Sequence, residues 1–593
     1  MSTDTRRKVS ALDLGKSMLG MAPDLPGILK GAPGLLLRKP SDKTSAGLTF
    51  QKAAAAHPHR HFLKGEGGRV LTYGESNDLV NRYASVFTAR GVRRGDVVAL
   101  MARNDIENIL VMLAAAKIGA VAGLLNYNQR GDVLAHSLGI LQAKLLVLDA
   151  PLREDLDSAG EIATRQQVIT FEELRKEAES ADNRNPTITS EIQGKETFLY
   201  IFTSGTTGMP KASVMSHYRW MKSYSGLGAL GVRLKGDDTL YCPLPLYHNN
   251  SVTVGLTSVL NGGAAMAVAP KFSASKFWED CIAYDATAFV YIGELCRYLL
   301  AQPERPVDKQ HKVRVVVGNG LRPDIWHEFQ ERFGIKRIAE FYGASECNIA
   351  FINAYNIDQT AGTCPLPYKV VEYDPETGDA VRDAQGRLKK VKKGEVGLLL
   401  SKVTDRQPFD GYTDSDATEK KLIRGAFKDG DAWFNTGDLV RDQGFQHVAF
   451  VDRLGDTFRW KGENVATTEV EALLAHQPQI EDCTVYGVSV PGADGKAGMA
   501  AVVLREGASI EGPELAKHVA ERLPSYAYPL FVRVVDSLEH TSTFKSRKVE
   551  LRDSGFGDKA GGQVYVLTDA ERGYVPYYDG YVDDVNAGRY PKL

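Results

Sequence analysis

Apolar residues alternate along the chain between short continuous runs and runs at helical spacing, a pattern that predicts an α/β fold. Thr72-Tyr-Gly-Glu75 has the spacing of a helix capping box, and apolar residues then recur at helical period until Gly91. Strands are predicted at 97–101, 120–125 and 145–148, with helices at 105–118 and 132–142. Strands that alternate with helices indicate a parallel sheet.

The pattern changes past Pro365, where short β-like segments are separated by Gly and Asp turns. A small α+β unit follows, with predicted helices at 469–476 and 514–523 and predicted strands at 482–490 and 500–504. The polar run 153–197 is interpreted as a surface helix and connector. We expect three parts: an N-terminal extension (1–47), a large domain with mostly parallel sheets and a β-rich subdomain (48–453), and a small C-terminal domain (454–593).

Length and charge exclude several classes of protein. A chain of 593 residues is too long for one core and should form at least two domains. The 72 Lys and Arg residues nearly balance the 74 Asp and Glu residues, so no overall field would recruit nucleic acid. The six cysteines are scattered without Cys-x-x-Cys spacing, which fits a reducing cytoplasm.

The N-terminus begins like a basic signal region, with Thr5-Arg-Arg-Lys8. Charged residues and prolines interrupt the apolar positions of 11–37, and nowhere does an apolar run approach the ~20 residues that span a bilayer. We expect a soluble protein or one that is peripheral on the inner face of a membrane. The leucines and methionines of this segment either lie on a membrane surface or pack against the body, and the sequence favours neither.

A glycine- and hydroxyl-rich stretch follows the apolar run Phe198–Phe202. Glycine lets the backbone approach an anion closely, while hydroxyls and a lysine add donors, so the stretch predicts a phosphate-binding loop. Its spacing differs from a Walker A loop, in which Gly-Lys-Ser/Thr ends the motif. The candidate phosphate-binding residues are Thr203, Ser204, Gly205, Thr206, Thr207, Gly208 and Lys211.

This loop resembles the signature of the AMP-forming adenylating enzymes, the superfamily of acyl-CoA synthetases, luciferases and peptide-synthetase adenylation domains. Further motifs follow in that superfamily's order: Phe341-Tyr-Gly-Ala-Ser-Glu346, Asn435-Thr-Gly-Asp-Leu439, Asp452–Val465 and Thr541-Ser-Thr-Phe-Lys545. The third of these resembles the very-long-chain acyl-CoA synthetase and fatty acid transport protein branch, as do Tyr291–Leu300, Gly318–Arg322 and Tyr574-Val-Pro576. The resemblance extends from near residue 48 to the end.

The resemblance implies a role for each matching residue. Tyr342 would pack on adenine, Glu346 would bind Mg²⁺, and Lys545 would be the adenylation lysine, with Lys548 as its competitor. An ionised carboxylate accepts two hydroxyl hydrogens and a guanidinium donates beside it, which suits Asp438 and Arg453 to ribose. The remaining expected nucleotide contacts are Gly318, Asn319, Gly320, Gly343 and Ser345; the expected catalytic residues are Lys545, Glu346, Thr203 and Lys211.

Relatives rotate the small domain between two half-reactions, so the resemblance implies a mobile C-terminal domain with its hinge at Gly455. Trp460, Lys461 and Gly462 would then lie beside the pantetheine channel. His248 falls where relatives place a gate between acyl pocket and nucleotide, although it is equally interpreted as a structural histidine. We expect the acyl pocket to be shaped by side chains between 252 and 350.

The resulting prediction is an ATP-dependent fatty acyl-CoA synthetase that uses Mg²⁺ and coenzyme A and passes through an acyl-adenylate. Its partners would be a long- or very-long-chain fatty acid, ATP and coenzyme A, and the sequence is compatible with an oligomer. Three alternatives stay open: a fatty acyl-AMP ligase that delivers to a carrier protein, a synthetase for another lipid carboxylate, and a non-enzymatic fatty acid transport protein.

Overall fold

The described part of the chain is an α/β protein with a large sheet-rich body and a smaller C-terminal unit. The computed structural model describes residues 8–203, 209–343, 347–374, 377–413, 415–454, 457–460, 463–493, 495–538, 548–557 and 561–593. The predicted α/β class with its smaller α+β unit is confirmed. The domain boundaries at 47/48 and 453/454 stay predictions.

The strands of the described ranges form four sheets. They are β1 (His61–Lys64), β2 (Val70–Thr72), β3 (Val97–Met101), β4 (Val121–Leu124), β5 (Leu145–Leu148), β6 (Val168–Thr170), β7 (Thr197–Thr203), β8 (Lys211–Ser216), β9 (Thr239–Cys242), β10 (Ala265–Val268), β11 (Ala288–Ile292), β12 (Val315–Asn319), β13 (Arg337–Tyr342), β14 (Phe351–Ile352), β15 (Gly362–Thr363), β16 (Tyr368–Val371), β17 (Val396–Lys402), β18 (Leu422–Arg424), β19 (Ala432–Gly444), β20 (His447–Arg453), β21 (Phe458–Trp460), β22 (Glu463–Val465), β23 (Ile480–Ser489), β24 (Lys496–Leu504), β25 (Pro529–Val534), β26 (Val564–Leu567) and β27 (Tyr574–Pro576).

Helices cover these sheets. The α-helices are α1 (Ala11–Gly20), α2 (Leu25–Gly31), α3 (Pro33–Leu37), α4 (Ala46–Ala56), α5 (Tyr73–Ala89), α6 (Ile106–Ile118), α7 (Gly131–Leu141), α8 (Arg153–Asp157), α9 (Glu161–Thr164), α10 (Phe171–Ala178), α11 (His217–Ser223), α12 (Leu256–Gly262), α13 (Phe277–Ala283), α14 (Gly293–Ala301), α15 (Trp326–Phe333), α16 (Ser415–Glu419), α17 (Thr467–Leu474), α18 (Gly512–Arg522), α19 (Val549–Ser554) and α20 (Tyr581–Asn586). Two further segments, Tyr224–Val232 and Asn250–Gly255, are π-helical.

Local sequence signals account for the ends of the early helices. The Thr72 side chain caps α5 and the Glu75 side chain returns the bond, so the predicted capping box is present. Helix α6 begins after Asp105, whose side chain accepts from the Glu107 N–H, and ends at Gly119. Gly119 has φ +73°, a left-handed conformation that glycine adopts without steric cost.

The six-stranded sheet has the order β6-β5-β3-β4-β7-β8 and carries the predicted phosphate loop at its β7 end. Its pairs are parallel except β7 with β8, in which Thr203 lies opposite Lys211. The antiparallel pairing therefore brings the two ends of the loop together. The polar run 153–197 contains β6 as well as helices, so the interpretation as helix and connector was incomplete. A three-residue strand is too short to give a period-2 signal.

The fourteen-stranded sheet combines a parallel half with an antiparallel half. Strands β13-β12-β11-β9-β10-β1 are parallel, whereas β14, β15, β20, β19, β17 and β16 continue the sheet with antiparallel pairs. Tyr342 at the end of β13 pairs with Phe351 where the two halves meet. Ligands in open α/β sheets bind at the carboxyl ends of strands, so this junction is a candidate site.

The C-terminal unit has its own sheet and core. Its sheet has the order β23-β24-β25-β26-β27, and helices α17 and α18 contribute to its buried core. It contacts the large body through Arg297 of α14, whose Nη2 lies 3.0 Å from Asp482 Oδ1 of β23. None of the helices in the described ranges has the length and apolar character that crossing a bilayer requires.

Candidate active site

Tyr342, Asp438 and Arg453 form one connected group at the junction of the large sheet. The Tyr342 hydroxyl donates to Asp438 Oδ2 at 2.6 Å, and Arg453 Nε lies 3.4 Å from Asp438 Oδ1. Asp438 in β19 is the register partner of Arg453 in β20, so cross-strand pairing sets their separation. Asp438 is buried, while the Arg453 side chain is 57% exposed and has room to reach a ligand.

The electrostatics of this group keep the tyrosine neutral. Burial raises the pKa of Tyr342 well above its usual value, and the Asp438 carboxylate raises it further. A neutral hydroxyl donates one hydrogen and leaves the rest of the carboxylate's acceptor capacity for another donor. Asp438 can therefore accept hydroxyl hydrogens from a ligand without losing its bond to Tyr342.

The Gly318–Gly320 loop lies at the end of β12, beside β13. A Cβ at Gly318 would lie 2.2 Å from the Tyr291 carbonyl oxygen, so only glycine fits. Gly320 has φ +83°, and its N–H donates to Glu340 Oε1 at 2.6 Å. Tyr291 Oη donates to the other carboxyl oxygen of Glu340. The buried carboxyl group of Glu340 thus holds the loop through these hydrogen bonds.

Glu340 is the unusual ionisable group of this region. Burial raises its pKa to about 8, and the bonds from Tyr291 and the Gly320 N–H act in the opposite direction. At neutral pH the side chain is therefore mostly protonated. A neutral carboxyl adds no negative charge next to Gly318–Gly320, the predicted nucleotide contacts, which suits a site for an anionic ligand.

His248 and its neighbours connect this loop to a cavity. His248 is half-buried with its ring 4.5 Å from that of Tyr247, and its backbone N–H donates to Pro245 O at 3.1 Å. Asn250 Nδ2, at the start of a π-helical segment, donates to Asn319 Oδ1 at 2.8 Å. Asn249, between His248 and Asn250, lines the cavity. The predicted gate residue therefore directly precedes, in sequence, a residue of the cavity wall and a residue bonded to the nucleotide-side loop.

The cavity has a volume of about 110 Å³ and a mostly apolar wall. Phe341 and Gly343 of the predicted adenine motif line it, as does Cys347 directly after the motif, and both π-helical segments contribute to its wall. Such segments are rare and frequently occur at functional sites. Leu35, several residues between 215 and 230 and residues 363–366 also line the cavity and lie outside the range 252–350 in which the acyl pocket is expected.

Two polar side chains in the cavity wall have buried atoms that form no hydrogen bond within the described chain. Asn249 Oδ1 is buried, as are both amide atoms of Gln407, and none of them bonds to another part of the described chain. Buried polar groups in native proteins are normally satisfied, so unpaired ones in a cavity indicate a place for a ligand or water. The wall thus offers apolar surface for a chain and a few donors and acceptors for a polar group.

Several predicted residues lie outside the described ranges. These are Ser204, Gly205, Thr206, Thr207, Gly208, Ser345, Glu346, Gly455, Lys461, Gly462 and Lys545, and the side chain of Thr203. Within the described ranges, no group of three or more His, Cys, Asp or Glu side chains could hold a metal ion. The roles expected for these residues stay predictions.

The described C-terminal residues have structural contacts. Lys548, the competitor of Lys545, donates to Thr467 Oγ1 at 2.9 Å and pairs with Glu471 at 2.8 Å. Trp460 is 3% exposed and belongs to the C-terminal core. Asp452 accepts from the Thr467 N–H at 2.8 Å and so joins β20 to the first turn of α17.

Comparison with known proteins decides the family. The model of the AMP-binding enzyme matches residues 50–412, and the model of the AMP-binding enzyme C-terminal domain matches residues 469–545. The chain belongs to the AMP-binding enzyme family. It is 55% identical over 586 residues to the medium/long-chain-fatty-acid–CoA ligase FadD6 of Mycobacterium tuberculosis, covering 98% of both chains. It is 40% identical over 550 residues to long-chain fatty acid transport protein 2 of Rattus norvegicus, covering 89% of this chain and 88% of that one.

Solved structures of AMP-binding enzymes share the fold. ATP-bound MatB from Rhodopseudomonas palustris superposes with a TM-score of 0.73 at 24% identity, over 86% of this chain and 99% of that one. A fatty acyl CoA synthetase of Mycobacterium tuberculosis superposes with a TM-score of 0.61 at 23% identity, over 86% and 98%. The predicted membership in the adenylating superfamily, in its very-long-chain branch, is confirmed by the family models and relatives.

Sequence reasoning missed two parts of this AMP-binding enzyme's site. Glu340 directly precedes the Phe341–Glu346 motif, and a single glutamate in a strand carries no signal of burial. Its position in the middle of an otherwise apolar segment, Ile338-Ala-Glu-Phe-Tyr342, could have indicated it. The second missed part is the cavity wall contributed by Leu35 and α11, which only the packing of distant segments creates.

Proposed function

We propose that the protein joins medium- or long-chain fatty acids to coenzyme A in an ATP-dependent, AMP-forming reaction through an acyl-adenylate. The observation that carries the proposal is the apolar cavity, which is lined by Phe341 and Gly343, the two neighbours of Tyr342 in sequence. An acyl chain in the cavity would have its carboxylate beside the predicted nucleotide site. The 55% identity to a fatty-acid–CoA ligase supports the same substrate class.

The nucleotide would contact the group described above. We assign the ribose hydroxyls to Asp438 and Arg453, whose 3.4 Å pairing leaves acceptor and donor atoms side by side. Tyr342 would pack on adenine while its hydroxyl keeps Asp438 in place. The Gly318–Gly320 backbone offers close approach, since both glycines lack a side chain at the strand end.

Charge neutralisation would account for most of the catalysis. Attack of a carboxylate on a phosphate brings two anions together, and two like charges about 4 Å apart at an effective dielectric near 20 cost roughly 4 kcal/mol, or about a thousandfold in rate. Lys211 and Lys545 are the cations that we assign to this task. Carboxylate oxygens are preferred Mg²⁺ ligands, so Glu346 is the residue that would hold Mg²⁺, which neutralises phosphate charge when bound.

The second half-reaction needs a thiol at the same carbonyl. We assign the movement between half-reactions to rotation of the C-terminal unit about Gly455, since glycine absorbs large φ/ψ changes. Lys461 and Gly462 would then lie beside the pantetheine of coenzyme A. Trp460, which is packed in the C-terminal core, would hold this segment in place.

Product analysis by mass spectrometry tests the proposal. The purified chain is incubated with Mg-ATP and either fatty acids from medium to very long or other lipid carboxylates, with coenzyme A present or omitted. Acyl-CoA with AMP is expected, and acyl-AMP should accumulate only without coenzyme A. Acyl-AMP that persists with coenzyme A would instead identify a ligase for a carrier protein, and turnover only of other lipid carboxylates would reassign the substrate.

A transport function is a second candidate, favoured by the relatives named long-chain fatty acid transport proteins. The proposed ligase would drive uptake by converting a diffusing acid into its CoA ester, so the two functions are compatible. Uptake of labelled fatty acid by cells that express Lys545→Ala distinguishes them. Transport independent of ligation would persist in that variant, and transport by trapping would be lost.

A further inference from the structure

We infer that the cavity also accepts α,ω-dicarboxylic acids, whose second carboxylate binds to Lys222 and Gln407 in the cavity wall. The inference rests on the proposed function, because it names a further substrate class for the same site. One carboxylate would become the thioester, with release of pyrophosphate and AMP, while the other stays a free carboxylate. A plain fatty acid ends in a methyl group, which gains nothing from a cation in the wall.

Lys222 belongs to a part of the wall that the chain reaches only after leaving the predicted phosphate loop. Strand β8 begins at Lys211, at the end of that loop, and runs to Ser216. At about 3.3 Å per residue, the strand places Ser216 roughly 16 Å from Lys211. Helix α11 follows, and Met215, Tyr218 and Lys222 of these two elements line the cavity. The Lys222 part of the wall thus follows the end of β8 that is remote from the loop.

Lys222 forms no ion pair with a carboxylate of the described chain. Arg219, three residues earlier in α11, is fully engaged: it donates to Cys347 O at 2.7 Å and lies 3.7 Å from Asp410. The half-buried Lys222 instead has its Nζ 5.0 Å from the centre of the Tyr218 ring. Charged side chains that leave water are normally paired, so this ammonium offers a place for an anion.

Two further cations add positive charge at this place. Burial and the charges of Arg38 and Arg406 lower the pKa of Lys222 to about 8, so the ammonium is still mostly charged at neutral pH. Asp42, the carboxylate that acts on Arg38, accepts a hydrogen bond from the Lys39 N–H at 2.8 Å. Like charges repel, and a ligand carboxylate beside Lys222 would offset that repulsion.

Gln407 is a second and independent indication of a polar ligand. Its side chain is 3% exposed and lines the cavity, and neither of its amide atoms has a hydrogen-bond partner in the described chain. Its backbone is held in place, since its N–H donates to Thr404 O at 2.9 Å and its carbonyl accepts from Asn348 Nδ2 at 3.0 Å. The amide NH₂ group is a donor, and an ionised carboxylate only accepts.

Tyr218 connects the two donors. Its hydroxyl donates to Arg406 O at 2.6 Å, and Arg406 directly precedes Gln407. The ring of the same tyrosine lies under the Lys222 ammonium. An ammonium and an amide donor thus belong to one part of a mostly apolar wall. Charge-assisted hydrogen bonds from such donors are about twice as strong as neutral ones, which suits them to hold a carboxylate at the end of an alkyl chain.

Kinetics with dicarboxylic acids and fatty acids of the same length test the inference. The purified chain is given Mg-ATP, coenzyme A and acids from medium to very long, and the readout is the ratio of kcat/KM for the dicarboxylic acid to that for the fatty acid. The monomethyl ester of each dicarboxylic acid is also tested, because it keeps the chain and lacks the second charge. At the best length, the dicarboxylic acid should have a kcat/KM about tenfold higher than its monomethyl ester.

Variants locate the preference. Lys222→Met removes the ammonium and keeps an unbranched side chain, so the ratio should fall about tenfold, mainly through KM for the dicarboxylic acid. Lys222→Arg restores the charge and should recover most of the ratio. Gln407→Leu should lower the ratio about threefold. Lys176→Met, which alters an exposed lysine of α10, is the matched control and should leave the ratio unchanged.

The outcomes separate this inference from the proposed function. A chain that activates fatty acids but no dicarboxylic acid would overturn the inference and leave the proposed function intact. A ratio that Lys222→Met does not change, or monomethyl esters that react as well as the free dicarboxylic acids, would also overturn it. If no acid is activated, the proposed function fails and titration calorimetry decides binding alone. The dicarboxylic acid should then bind more tightly than its monomethyl ester, and equal affinities would overturn the inference.

Discussion

The two sides of the candidate site are built in different ways. The nucleotide side consists of polar groups that already bond to one another, such as Tyr342 with Asp438 and Gly320 with Glu340. The proposed acyl side is an apolar cavity in which the Asn249 Oδ1 atom and both side-chain amide atoms of Gln407 have no hydrogen-bond partner in the described chain. Hydrogen bonds within the protein thus hold the residues of the proposed nucleotide side in place. The proposed acyl side is shaped by side-chain packing, so its lining residues can be substituted without disturbing the nucleotide side.

The largest effect is expected from removing the adenylation lysine. Lys545→Ala should lower acyl-adenylate formation about a thousandfold, because a cation between two anions is lost. Thioester formation from supplied acyl-adenylate should be largely spared. The two half-reactions are measured separately by pyrophosphate exchange and by acyl-CoA release.

Lys548→Ala is the matched control for that change. Lys548 pairs with Glu471 and Thr467, so its loss should lower the unfolding temperature rather than the rate of adenylation. Equal loss of both half-reactions in Lys545→Ala, or a thousandfold loss of adenylation in Lys548→Ala, would show that the lysines are wrongly assigned.

Removing the Asp438 carboxylate from the nucleotide side should have the next largest effect on activity. Asp438→Ala removes the acceptor of the Tyr342 hydroxyl and the partner of Arg453, so kcat/KM for ATP should fall about a hundredfold. The chain-length preference should not change, because the cavity is untouched. Tyr342→Phe keeps the ring and should cost only about tenfold. A shift in chain-length preference in Asp438→Ala would contradict the separation of the two sides.

Narrowing the acyl side should change selectivity without affecting ATP. Ala350 lines the cavity, and Ala350→Phe should lower kcat/KM for long-chain acids by about tenfold relative to medium-chain acids. KM for ATP should stay within about twofold. Ala384→Phe, at an exposed position, is the control. If both variants keep the chain-length profile of the unchanged chain, the cavity does not hold the acyl chain.

The smallest effect on activity, and a distinctive one on stability, is expected at Glu340. Burial raises its pKa to about 8 from the ordinary 4.5, so the folded chain holds this proton more tightly than the unfolded chain. Its contribution to the free energy of unfolding is complete below pH 4.5 and is lost as pH rises to about 8. The loss should be on the order of a few kcal/mol.

Glu340→Gln keeps the shape and removes the proton equilibrium. Chemical denaturation across this pH range should therefore show a flatter profile for Glu340→Gln than for the unchanged chain. Tyr291→Phe, which removes only the hydroxyl partner, should cost about 1 kcal/mol and keep most of the slope. Identical pH profiles for the unchanged chain and Glu340→Gln would mean that Glu340 does not hold the proton.

Most residues that we assign to the nucleotide side could be named from the sequence. Tyr342, Asp438, Arg453 and Gly318–Gly320 lie in short motifs, and strand pairing brings them together in the structure. The strand at 97–101 and the end of α6 at Gly119 were predicted for similar reasons, since buried runs and helix caps are local signals.

The acyl side could not be predicted in this way. Its wall joins Leu35, the π-helical segments and residues 363–366, which are far apart in sequence and meet only through packing. Strand β12 spans Val315–Asn319, although the run of valines begins at Val313, because that run does not reveal where pairing with β11 begins. Side-chain packing between distant segments leaves no periodic pattern in the sequence from which it could be predicted.

Photo-crosslinking of the acyl-adenylate tests most directly whether one ligand occupies both the nucleotide side and the acyl side. A long-chain fatty acid with a diazirine at its far end is incubated with the chain and Mg-ATP, irradiated, and mapped by mass spectrometry. The account predicts ATP-dependent labelling within residues 215–230 or 347–366, and loss of that labelling in Asp438→Ala. Labelling outside the cavity wall, or labelling that is independent of ATP and Asp438, would contradict it.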